Sequence, residues 1–221
     1  MGLPCVELLD NIIEKMNKNI NNNGYGYVDL KLPSGTLWAA MNVGASNSEE
    51  TGLYFQWGDT QGYTAKQVGK GEGKKYFSWD TYKWDLDGYG VIFKKYNVEG
   101  IVLDLEDDAA HVHMGGDWHI PNENQIEELI DNTASDWISQ NGTYGGLFTS
   151  KNDKSKSIFI PAVGYAFFDT IYFSGEYGYV WGSKSMEGEN LAGKSLYFSS
   201  ERTFLYRNQR FFGLPVRGVI G

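Results

Sequence analysis

Cysteine is almost absent: Cys5 stands alone among 221 residues, so no internal disulfide holds this fold. Packing, hydrogen bonding, association or a bound ion must do so instead. Basic runs are missing too. The 19 Lys and Arg are scattered, the formal charge is -9 and the pI is near 4.8, which argues against a partner held by its phosphate backbone. Nucleic acid is therefore not an expected partner. No apolar run approaches the roughly 20 residues of a membrane helix, so no membrane insertion is expected. The opening MGLPCVELLDNIIEKMNK lacks a basic segment, a long apolar core and a small-residue cleavage site, so a secretion signal is not expected, and Cys5 sits in a poor lipoprotein context. Proline is scarce, 5 against 28 glycines, which leaves turn-making to glycine.

What the chain does have is aromatic mass. Its 15 Tyr, 12 Phe and 7 Trp, with abundant glycine, suit short strands and large loops better than a helical bundle. They also suit a gripping surface, because Tyr and Trp give contact area for little lost side-chain entropy. Most of them are expected in the core or on sheet faces.

Residues 1–23 read as a separate N-terminal helix and linker. Val6, Leu9, Ile13, Met16 and Ile20 are spaced 3, 4, 3 and 4 apart, the rhythm of a helix that offers one apolar stripe to a partner. Leu8 and Ile12 widen the stripe, so it equally fits the chain's own domain. Oligomerisation or docking to another protein is the expected use. Asn21, Asn22, Asn23 and Gly24 then stop the helix, and the main domain, 24–221, begins.

Beyond the linker the signals are strand and turn. YVDLKLPSGTLWAA predicts two short strands about the turn at 33–35, and TGLYFQWGD predicts a buried strand. Residues 60–100 show no steady period and read as one long loop region. A helix is expected at the end of LDLEDDAAHVH. Another begins in PNENQIEELIDN, with Asn122 or its predecessor as cap, Gln125 three residues on, and Ile126, Leu129 and Ile130 as the apolar face. GLFTSK, SIFIPAVGYAF, GEYGYVWGSKS, KSLYFSSERTFLYR and GLPVRGVI return to strand character. The expected class is α+β, with short twisted antiparallel strands, few helices and long loops.

All three histidines fall in HVHMGGDWH. In a strand His111 and His113 would share a face, and His119 follows six residues after His113, a set imidazole chemistry allows for zinc, copper, iron or nickel. Met114, Gly115 and Gly116 split them, however, and no metal site is expected. No G-x-S-x-G turn supports a serine nucleophile, and the carboxylates of Glu106, Asp107, Asp108, Glu127 and Glu128 read as solvated faces of an acidic chain. No catalytic residue and no cofactor is expected; oxygen ligands in the acidic loops leave room for a structural calcium ion.

The stretch GGDWHIPNENQIEELI resembles the Fibrobacter succinogenes major paralogous domain family, found in gut Bacteroidetes and their phages. YVDLKLPSGTLWAAMNVGAS, GLYFQWGDT, FSWDTYKW, LEDDAAHVHMGGDW, SIFIPAVGY, GEYGYVWGSKS and FFGLPVRGV follow the same order, so the resemblance covers roughly 25–219. It implies a C-type-lectin-like fold, related to formylglycine-generating-enzyme-like domains and to the variable proteins of diversity-generating retroelements. It further implies that Trp38, Trp57, Trp118 and Trp181 pack the core, that Gly115, Gly116 and Gly213 shape turns, and that Val216 and Arg217 lie in the last strand. Formylglycine generation needs late cysteines, and none follows Cys5.

In the fold so implied, ligands are met near the C-terminus. There Tyr197, Arg202, Phe204, Tyr206, Arg207, Asn208 and Arg210 crowd into fourteen residues, and Arg and Tyr are the side chains that most often anchor interfaces. Leu196, Phe198 and Phe212 are expected to turn inward. The expected function is a non-enzymatic phage virion protein, a head fibre, decoration or tail-associated receptor binder. Its helix would join other virion proteins or further copies, and its domain would meet a host-surface glycan or protein. The expected location is the virion surface, with a bacterial surface adhesin as the alternative and a metal-dependent enzyme as a third reading.

Overall fold

A computed structural model describes residues 24–70 and 72–221. The stripe of Val6, Leu9, Ile13, Met16 and Ile20 lies outside the described residues. Small antiparallel sheets dominate, with 37% of residues in strands and 13% in helices.

Strands β1 (Tyr27–Asp29) and β2 (Leu37–Ala39) pair with Val28 opposite Trp38, across the turn expected at 33–35. β3 (Leu53–Phe55) pairs with β4 (Tyr63–Thr64), and Thr64 caps the short α1 (Ala65–Val68). The long loop region follows, broken by a 3-10 turn at Trp79–Thr81, and its own rings fasten it: Trp79 meets Tyr82, Phe93 and Phe211, while Trp84 meets Tyr96. A second 3-10 turn, Leu105–Asp107, leads to α2 (Ala109–Met114) and α3 (Glu123–Asn132). The expected cap on α3 is Asn122, whose side chain accepts from the Gln125 amide at 3.0 Å while Gln125 returns the bond at 3.0 Å. Ile126 and Leu129 are buried on its apolar face.

α3 runs without a break into β5 (Thr133–Gln140), which pairs along its whole length with β6 (Thr143–Ser150); β7 (Ser157–Pro161) completes the sheet. TASDWISQ shows little of the alternation that marks a strand. Its partner and the Asn141–Gly142 turn set it instead, with both residues at positive φ (49° and 86°), the conformation that joins tight hairpins. β8 (Tyr165–Phe167) and β9 (Thr170–Tyr172) form a second hairpin, and β10 (Gly178–Ser185), β11 (Ala192–Phe198) and β12 (Thr203–Gln209) form the central sheet.

That central sheet lies between two cores. Tyr179, Trp181 and Tyr197 face a cluster holding Trp57 and Trp118, whereas Val180, Leu196 and Phe198 face one holding Trp38, Ile126 and Leu129. β11 is buried along its whole length, its apolar residues by these cores and Lys194 by its ion pairs with Glu123 and Glu187. Phe212 is only half-buried, short of the full burial expected, because its ring forms part of the surface described below. All four expected core tryptophans are buried. Two of them tie strands crosswise: Trp57 Nε1 donates to the Gly182 carbonyl at 2.9 Å and Trp181 Nε1 to Phe55 at 2.7 Å.

The chain ends by returning to its beginning. β13 (Leu214–Pro215) joins β3 and β14 (Val219–Ile220) joins β2. Val216 and Arg217 do not share a last strand; they bridge these two, because the backbone must cross from one sheet to the other. Their carbonyl neighbourhood stays ordered, with Val43 N–H on Val216 O and Ala39 N–H on Gly218 O, each at 2.8 Å. Arg217 is wholly buried and donates to Ala39 O at 3.1 Å and Phe159 O at 2.8 Å, bolting β2 to β7. A planar fork can hold two carbonyls on separate strands; an ammonium on a flexible stem does so poorly. Arg217→Lys and Arg217→Met are both expected to lose about 3 kcal/mol, the scale of stranding buried polar partners. Urea denaturation checks this, and a wild-type midpoint for the lysine variant would sink the two-strand account.

Candidate binding surface

The expected ligand residues divide sharply. Across β10–β11–β12, Tyr179 stands opposite Tyr197 and Tyr197 opposite Phe204, while Trp181, Ser195 and Tyr206 form the next row of the same face. The pleat puts all of these on one side, so the aromatic face starts in the core and emerges at the edge strand. Tyr206 is exposed and Phe204 half-buried, with Arg202 over the Phe204 ring at 5.5 Å. Arg207 is exposed on the opposite side, paired to Glu189 at 3.0 Å. Arg202, Phe204, Tyr206 and Arg207 are thus accessible.

Tyr197, Asn208 and Arg210 are not. Tyr197 is buried beneath the rings of Phe204 and Tyr206, at 4.8 and 5.8 Å, and supports them from below. Asn208 is buried and donates to Ser195 Oγ at 2.8 Å. Arg210 has 0% exposure: it donates to Tyr96 O at 2.6 Å and lies over Trp57 at 4.7 Å. Its position just past β12, where the chain dives between sheets, turns an expected anchor into a core strut. Asn208 shares the face of Phe204 and Tyr206 but sits at its buried end, against Ser195, and the dive withdraws Arg210.

Residues outside the expected set extend the face. Tyr177 links Tyr197 (5.6 Å) to Phe173 (4.8 Å); Tyr165 lies near Phe173 (6.0 Å) and stacks on Phe212 (4.9 Å, 9°) and Tyr172 (5.6 Å, 24°). Phe168 reaches 37%, Tyr172 39%, Phe173 42% and Tyr206 43% exposure, so one run of rings crosses from β12 to the β8–β9 hairpin. The available signal was density: seven of the seventeen residues of GYAFFDTIYFSGEYGYV are aromatic. Phe168 and Phe173 have φ of 52° and 57°, a left-handed conformation that costs a bulky residue about 1–2 kcal/mol. Gly164 lets the hairpin close on itself, since a Cβ there would meet Tyr172 O at 1.8 Å. These exposed rings are placed, not left over.

A second apolar projection lies in the long loop region. Leu86, Tyr89, Val91 and Ile92 are exposed on a tight loop whose base is the Asp85–Phe93 bridge; Asp85 accepts from Gly90 N at 2.9 Å and Asp87 from Tyr89 N at 3.0 Å.

The histidines serve the scaffold. The stretch is helical, as expected at the end of LDLEDDAAHVH, so His111 and His113 part company: His113 donates to Thr60 O at 2.9 Å and meets Phe55 edge-on, while His111 lies 3.3 Å from Trp118 O and His119 3.0 Å from Ile120 O. Gly115 and Gly116, at φ 69° and 58°, make the expected turn, whereas Gly213 has ordinary φ and is required by contact, a Cβ there meeting the Phe77 ring at 2.5 Å. Among the described residues, the one cluster of metal-ligating side chains is Asp104, Glu106 and Asp107. Lys95 already puts its ammonium among them, at 2.7, 3.0 and 2.5 Å. Asp107 is buried and also accepts from Lys83 at 2.8 Å and Tyr96 at 2.7 Å. Desolvation alone would raise its pKa, but the bonds from Lys83, Lys95 and Tyr96 outweigh it and hold the carboxyl below its ordinary value.

No family model, curated protein or solved structure matches the chain.

Because the folded pKa of Asp107 is depressed, its contribution to stability is full above the ordinary carboxyl value of about 4 and is lost as pH falls through the folded value. Asp107→Asn is expected to cost about 3 kcal/mol at neutral pH, with the gap to wild type closing in acid below pH of about 4. Chemical denaturation at several pH values tests this, and a pH-independent gap contradicts it.

Proposed function

We propose that the chain is a phage virion protein whose C-type-lectin-like domain attaches the particle to the bacterial host surface. The observation that carries the reading is the ring surface from Tyr206 to Phe168, exposed yet held in place by buried Tyr197 and by strained backbone. Large placed aromatics are the side chains that dominate binding energetics, and contiguous exposed apolar area on a folded domain marks an interaction site. Short antiparallel strands, few helices and a long ring-fastened loop region support the lectin-like architecture. On this reading the stripe of Val6, Leu9, Ile13, Met16 and Ile20 joins copies of the chain or docks it to the particle. Many weak contacts then act together, since each further contact forms at high effective concentration.

The attachment surface is tested by Tyr206→Ala combined with Phe173→Ala. Both residues are exposed, so stability should move by about 1 kcal/mol or less, while binding of the labelled protein to host cells should fall about tenfold or more. Tyr197→Ala should instead destabilise the fold by about 3 kcal/mol, as its ring is buried. Unchanged cell binding by the double variant counts against the surface. For assembly, light scattering should give a defined oligomer for the full chain and a monomer for one starting at Gly24; two monomers would remove self-association from the reading.

A further inference from the structure

Behind the aromatic face, on the other side of β12, lies a concavity of about 250 Å³ lined by Met186, Lys194, Leu205, Tyr206 and Arg207. That volume is worth roughly eight waters of liquid and falls under the range of about 300–1,000 Å³ for drug-sized ligands. Its scale is one sugar ring.

The charges around it are matched. Lys194, nearly fully buried, is bonded to Glu123 at the start of α3 and lies 3.4 Å from Glu187. Lys184 bridges the same two carboxylates at 2.7 Å each, and Arg207 holds Glu189 at 3.0 Å. Three cations thus stand against three carboxylates, and the group has no net charge. With no net charge, the group offers an anionic ligand no excess attraction over a neutral one. Hydroxyl groups do fit, because each can donate to a carboxylate oxygen and accept from a neighbouring N–H together. Met186 and Leu205 supply the apolar wall that the C–H face of a sugar ring needs. Desolvation also lowers the pKa of Lys194, consistent with its fixed, water-poor position.

We propose that this concavity is a subsite for one pyranose ring of a neutral glycan, with the exposed Arg207–Glu189 pair recognising its hydroxyls beside Lys194. The inference rests on the attachment reading and gives that reading a ligand class. Tyr206 connects the two regions: it lines the concavity, and its ring lies with Tyr197 and Phe204 on the aromatic face.

The test uses the full chain on an array of neutral hexose polysaccharides and of uronic- and sialic-acid glycans, followed by titration calorimetry with the neutral oligosaccharide that binds. Arg207→Ala and Glu189→Gln are expected to weaken that binding tenfold or more, and high salt to leave wild-type binding nearly unchanged. Arg207 is largely exposed, so its truncation should spare the fold, which near-ultraviolet circular dichroism checks. Binding confined to acidic glycans and abolished by salt overturns the inference, as does neutral-glycan binding that survives both substitutions. If wild-type protein adsorbs to host cells in a Tyr206-dependent way yet binds no neutral glycan, this inference fails and attachment stands. If it adsorbs to no host cell, attachment itself fails.

Discussion

Two guanidinium groups inside the protein govern how the rest is arranged. Arg210 and Arg217 have 0% exposure, and their hydrogen-bond acceptors are main-chain carbonyls and one amide oxygen: Tyr96 and Asn190 for the first, Ala39 and Phe159 for the second. Removing such a cation from water is expensive, and only acceptors fixed in advance offset it. The acceptors come from the long loop region, the β10–β11 connection, β2 and β7. Each therefore has its place set by the terminal segment. The closing strands β13 and β14 do the same through backbone pairing with β3 and β2, so the last dozen residues act as a tie through both cores.

The consequence reaches β12, whose C-terminal end runs directly into Arg210. Trp57 N–H donates to Arg210 O at 2.8 Å and the Trp57 ring lies under its guanidinium, so the edge strand is anchored where it leaves the sheet. On an anchored strand the period of two becomes a sorting device. Phe204 and Tyr206 go to the ring face, while Leu205 and Arg207 go to the concavity. The ring face and the concavity lie back to back because consecutive residues of one strand must point opposite ways.

Much of this was legible in the sequence where local chemistry decides structure. The Asn122–Gln125 cap and the turn at 33–35 follow from side chains whose preferences are strong and short-ranged, whereas the glycine turn at Gly115 and Gly116 and the burial of the four tryptophans were expected only from the family resemblance. β5 was not legible, because TASDWISQ takes its conformation from β6 across the Asn141–Gly142 turn rather than from its own pattern. Nor were Asn208 and Arg210 separable from Tyr206 and Arg207. Composition shows that Arg and Tyr crowd together, but which of them faces water depends on strand register and on where the chain leaves the sheet. The aromatics from Tyr165 to Tyr177 were visible as a cluster; only the folding of the β8–β9 hairpin against β10 joins them to Tyr206.

The ring face also carries a cost that explains its form. Phe168 and Phe173 hold strained backbone and yet expose their rings, a combination unfavourable on both counts. Structure elsewhere must overdetermine them, and it does: the β8–β9 register, the close approach at Gly164 and the Tyr165–Phe212 stack leave the hairpin no alternative. A surface whose rings are already fixed loses little entropy when it meets a ligand. On the proposed reading that is the useful property, since a shallow face of half-exposed rings offers modest area to any single contact. Preorganisation then does for each contact what repetition of the domain does for the particle: it lowers what must be lost before binding gains.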